Sequence, residues 1–74
     1  MTKMSLKAAR INAGYNQMQA AAMLGVTKTT LVKWEKGKTF PNALAIEKIC
    51  SVYKIHYDDI SFLPSDSLLA NLAN

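Results

Sequence analysis

Apolar positions recur at helical spacing through most of the chain, and glycines or polar capping residues cut that pattern into short pieces. Leu6, Ala9 and Ala13 share one face of a first helix, with Ile11 near its edge, Ser5 as its N-cap and Gly14 as its stop. Asn16 caps a second helix, which turns Ala20, Ala21 and Leu24 inward with Met23 flanking them, and Gly25 breaks it. Val26 plugs the corner, and Thr27 caps a third helix that carries Leu31 and Trp34 inward and stops at Gly37. Lys38-Thr39-Phe40-Pro41 reads as a loop, because the residue before proline avoids helical backbone angles. Asn42 opens a fourth helix running to Tyr53, with Ile46, Ile49, Cys50 and Tyr53 inward. Ile55, Tyr57, Ile60 and Leu63 carry the pattern through a turn into a short fifth helix, which Pro64 ends. Asp58 and Asp59 fall in the first turn of that helix, where its dipole favours negative charge.

Five short helices predict an all-α domain over residues 5–63. Met1 to Met4 reads as an unanchored arm. The segment 64–74 reads as a C-terminal tail, disordered or a short helix, with Leu68, Leu69 and Leu72 on one stripe too short to be stable alone.

Size and composition narrow this picture. The 74 residues suffice for one domain with one small core, and the hydrophobic half of them argues for a folded core. Three glycines and two prolines argue against a turn-rich β domain. The formal charge of +4 is unevenly spread: up to Lys38 seven basic residues face Glu35 alone, whereas from Thr39 onward Lys48 and Lys54 face four acidic residues. That asymmetry suits a polyanion on one face, although charge alone fits a solubility role equally well. Cys50 is the only cysteine, so an internal disulfide is excluded and an intracellular setting is expected. The N-terminus lacks the apolar core of a signal peptide, and no apolar run approaches the roughly 20 residues that span a bilayer. A soluble, cytoplasmic protein without membrane contact is therefore expected. His56 has no second ligand at metal-binding spacing, and neither a nucleophile elbow nor a glycine-rich phosphate loop is present. The expectation is no metal, no cofactor and no enzymatic activity.

The stretch from Gln17 to Gly37 carries the chemistry. Lys28, Thr29, Lys33 and Lys36 lie on the outer side of the third helix, and a short helix with a polar, basic face fits the major groove of DNA. Arg10, then G-Y-N-Q from Gly14, Ala21, L-G-V from Leu24, T-K-T-T-L-V-K-W-E-K-G from Thr27, and Pro41 form a longer pattern. From Leu6 to Leu63 the chain resembles the Cro/cI-type (XRE-like) helix-turn-helix domain of phage repressors and their bacterial relatives. The resemblance implies a five-helix, lambda-repressor-like domain with its helix-turn-helix at helices two and three, double-stranded DNA as partner, and a phage or prophage setting. By the same resemblance, Gln17 looks like the glutamine that begins the second helix and contacts a phosphate or the edge of an outer base pair. Lys28, Thr29 and Lys33 occupy places that usually face bases, and Arg10 and Glu35 match a pair that often bridges the first and third helices. Three positions depart from the family pattern. Ala20 stands where leucine is usual, Trp34 where a smaller aliphatic is common, with its indole expected to fill the gap, and Phe40 where a basic residue is frequent.

Each candidate contact has its own chemistry. Lys28 and Lys33 can donate to guanine O6 and N7 or merely neutralise phosphates, and as point charges they discriminate less sharply than arginines. Thr29 can bond a base edge or touch a thymine methyl. For Val32 two readings stand: contact with a thymine methyl, or partial burial against the second helix. Thr27, Lys36 and Lys38 read as phosphate contacts, as do Asn16 and Gln17 at a helix N-terminus; capping alone also accounts for Thr27 and Asn16. The expected function is a sequence-specific DNA-binding transcriptional regulator, a Cro-like repressor that inserts helix 27–36 in the major groove as a homodimer. The alternatives are an antirepressor or modulator that binds a partner repressor protein, using Phe40, Val32 and the tail leucines, or an antitoxin-type autoregulator.

Overall fold

The computed structural model describes residues 3–62. In chain order these form a short strand β1 (Met4–Ser5), helices α1 (Leu6–Asn12), α2 (Gln17–Leu24), α3 (Lys28–Glu35) and α4 (Ala43–Tyr53), a 3-10 turn (Tyr57–Asp59) and a second short strand β2 (Ile60–Ser61). The class is all-α with a small β supplement.

The same chemistry starts all four helices. Ser5, Asn16, Thr27 and Asn42 hold extended backbone angles, and each side chain accepts the N–H three residues on, from Ala8, Gln19, Thr30 and Ala45. One of the orphan donors at each helix start is thereby satisfied. At α2 the bond is reciprocal, since Gln19 Oε1 accepts the Asn16 N–H at 2.9 Å while Asn16 Oδ1 accepts the Gln19 N–H at 2.7 Å.

Gly25 ends α2 at φ 73°, a left-handed conformation that glycine adopts without a Cβ clash, and this makes the turn into α3 tight. The end of α4 is different. Lys54 takes the same left-handed role at φ 53°, a position where no glycine signals it.

The core is built from Leu6 and Ala9 of α1, Ala20, Ala21 and Leu24 of α2, Leu31 and Trp34 of α3, Ile49 and Tyr53 of α4, and Ile60 of β2. Small residues on α2 let α3 cross closely, and the large Trp34 indole is buried in the same cluster as Ala20. Ile46 and Cys50, expected inside, are only half-buried on α4, and Ile11 is exposed.

Two expectations are corrected. The fifth helix is instead the 3-10 turn Tyr57–Asp59, which passes directly into β2. Extended backbone at Ile60 and Ser61 pairs with β1 in parallel register, Met4 to Ile60 and Ser5 to Ser61, and that pairing competes successfully with a helix only one turn long. For the same reason Met4 is anchored. His56 precedes the turn and makes no side-chain cap bond. Leu63, Pro64 and the proposed 64–74 tail lie outside the described residues. Among the described residues, no helix is long and apolar enough to cross a membrane, and no group of three His, Cys, Asp or Glu side chains is placed to hold a metal ion.

Candidate nucleic-acid interface

Burying Leu31 and Trp34 fixes the rotation of α3 and so decides what its outer side presents. Lys28, Thr29, Lys33 and Lys36 are exposed, as is Lys38 just beyond the helix. With Val32, these five side chains line one shallow concavity of about 400 Å³. The proposed base-facing set Lys28, Thr29 and Lys33 therefore shares a single surface with the proposed phosphate contacts Lys36 and Lys38. Asn16, Gln17 and Thr27 lie outside it, at the N-terminal ends of α2 and α3.

Those three are engaged by the scaffold. Thr27 Oγ1 accepts the Thr30 N–H at 3.1 Å and lies 2.9 Å from the Thr30 hydroxyl. Asn16 commits its Oδ1 to the cap, so its amide N–H groups are the donors available to a phosphate. Gln17 donates from Nε2 to Glu35 Oε1 at 3.1 Å. Nothing in the sequence marks that bond, which joins the start of α2 to the end of α3.

Glu35 is the hub of the scaffold behind the face. Its Oε2 accepts from Arg10 Nε at 2.7 Å, and the two side chains are only 4% and 8% exposed. Arg10 Nη1 also donates to the Tyr15 carbonyl at 2.8 Å, so the guanidinium is held from two directions. This arrangement shapes the electrostatics of the surface. Glu35 is the one carboxylate in the chain up to Lys38, and burial against Arg10 removes it from the basic face. The lysines of the concavity thus have no acidic neighbour of their own half to offset them.

Beneath the hub sits Tyr53, whose ring stacks on Tyr15 with centroids 6.3 Å apart. The Tyr53 hydroxyl is buried without a hydrogen-bond partner. Burial pushes this phenol up to about 12, the Glu35 carboxylate adds to the rise, and Arg10 opposes it. Cys50 is a half-buried free thiol, and burial raises its pKa, which disfavours the reactive thiolate.

A tight αL turn between two short helices, with the second helix's basic side outward, is the geometry of a helix-turn-helix. The family model for helix-turn-helix proteins matches residues 6–60. The chain belongs to the helix-turn-helix family. That span covers all four α-helices and reaches the first residue of β2. The chain is also 31% identical over 65 residues to an uncharacterized HTH-type transcriptional regulator, YgzD, of Bacillus subtilis (strain 168), covering 88% of this chain and 98% of that protein. No solved structure matches the chain.

Proposed function

We propose that this helix-turn-helix protein is a DNA-binding transcriptional regulator, a repressor of Cro-like size, that lays α3 in the major groove. The observation that carries this reading is the shared concave face of Lys28, Thr29, Val32, Lys33, Lys36 and Lys38 on and just after α3. A helix can approach base edges from one side only, and here the side turned away from the core is the cationic one. Lys28, Thr29 and Lys33 read bases in this proposal, with Gln17 at an outer base pair. Asn16, Thr27, Lys36 and Lys38 hold phosphates, which position the domain without reading sequence. Similarity to an HTH-type transcriptional regulator supports the same reading.

One domain of this kind contacts roughly 600–1,000 Å² of DNA, which favours pairing of two copies on half-sites about 34 Å apart. We therefore assign a homodimer on a two-fold operator as the working form. A gel shift with DNA flanking the protein's own gene tests the function. The proposal expects a complex that resists unrelated competitor DNA and weakens with salt, with a slope of roughly −2 per domain from Lys36 and Lys38 on phosphates. Absence of a complex, or its loss to any competitor alike, overturns it.

A second reading rests on Phe40, two residues after Lys38, and on Leu44 in the first turn of α4, which are 56% and 76% exposed. Apolar side chains left in water there suit a protein contact, as in a modulator that binds a partner repressor. Co-elution with the neighbouring gene product, without any DNA complex by the protein alone, would favour it over the first.

A further inference from the structure

Within the basic face one side chain is out of character. Val32 is four residues from both Lys28 and Lys36 and three from Thr29, so helical spacing places it at the centre of the polar set. It is half-buried, yet it is not among the partly buried apolar residues that pack against the core, as Val26, Ala45 and Val52 are. It lines instead the concavity formed with Lys28, Thr29, Lys33, Lys36 and Lys38. Val32 is the one apolar side chain among the residues that line it.

We infer that Val32 is a specificity-determining residue that receives the C5-methyl group of a thymine in the major groove. This inference rests on the proposed groove binding of α3. The major groove offers an apolar feature in the thymine methyl, and apolar contact is how it is read. Lysines on either side can bond neighbouring phosphates or guanines, while the Val32 side chain between them has no donor or acceptor. A thymine methyl against it loses no hydrogen bond, whereas cytosine presents only C5–H at that place and leaves the apolar contact unmade. Lysine is a weak discriminator in this setting, so methyl recognition supplies sequence choice that the charges do not.

The test uses a duplex selected by the full chain from a random pool, in which each thymine is replaced in turn by deoxyuridine. Removing one methyl is expected to weaken binding about fourfold at one position per half-site, the equivalent of one buried carbon group. In Val32→Ala, which withdraws both γ-methyl groups from the concavity, that methyl effect disappears while circular dichroism still reports a folded domain. Binding indifferent to every methyl, or a methyl effect that survives Val32→Ala and vanishes in Thr29→Ser, overturns the assignment. Failure to select any duplex overturns groove binding and this inference with it. A selected duplex that needs Lys28 but ignores the methyls overturns this inference alone.

Discussion

Gln17 donates its side-chain amide to Glu35 at 3.1 Å, so the first residue of α2 is tied to the last residue of α3. The other oxygen of Glu35 holds Arg10 of α1 at 2.7 Å. One carboxylate thereby joins three helices.

Removing one member of this buried ion pair strands the other. Glu35→Ala should destabilise the domain by about 3–5 kcal/mol, because the Arg10 charge then stays buried without its partner. For a small domain that is a large share of the total. The double change Arg10→Met with Glu35→Leu should recover much of the loss, since two apolar groups leave no charge stranded. Urea unfolding of the three proteins checks the order: Glu35→Ala lowest, the double change above it. Equal midpoints for Glu35→Ala and the unsubstituted protein would show that the pair is not a buried one.

Alkaline pH should unfold the protein through Tyr53. Its phenol lies at about 12 in the folded state against about 10 in an unfolded chain. The folded form therefore keeps a proton that the unfolded chain releases, and stability falls as pH rises. The contribution is complete below pH 10 and is lost as pH climbs through about 12. Tyr53→Phe should flatten this part of the profile and cost little at neutral pH, because the hydroxyl it deletes has no partner. Thermal unfolding of both proteins between pH 8 and 12 provides the comparison, and parallel curves would refute the link.

A lysine occupies a backbone position suited to glycine at residue 54. The left-handed conformation costs a residue with a Cβ about 1–2 kcal/mol, so Lys54→Gly should raise stability by about 1 kcal/mol despite glycine's greater chain entropy. The exposed side chain contributes little to offset that gain. A denaturation midpoint that falls in this variant would contradict the assignment of strain to Lys54.

The helices were legible because their signals are local. Ser5, Asn16, Thr27 and Asn42 each announce a helix start through one side chain and one N–H three residues on. Leu31 and Trp34 fix the buried side of α3 by spacing alone, and that places Lys28, Thr29 and Lys33 outward. What was missed depends on residues distant in sequence or on backbone angles without a marker. The Met4–Ile60 pairing joins residues that only the finished fold brings together, and each strand is too short to show alternation. The acidic pair Asp58–Asp59 favours a helix start, but a 3-10 turn satisfies it as well as an α-helix. Gln17 reads as a DNA contact by position, whereas its bond to Glu35 requires α2 and α3 to be docked. Val32 illustrates the remaining difficulty: spacing sets it beside the basic side chains, and only the folded structure shows that it lines their concavity instead of packing on the core.

The most direct test compares Lys28→Ala and Lys36→Ala on one selected duplex and on a scrambled duplex at equal salt. Reading of bases by α3 predicts that Lys28→Ala loses about 1–3 kcal/mol on the selected duplex and much less on the scrambled one. Lys36→Ala should weaken both duplexes alike and reduce the salt slope by about one. Unchanged affinity of Lys28→Ala for the selected duplex, or equal losses on both duplexes, would contradict a base-reading role for this face.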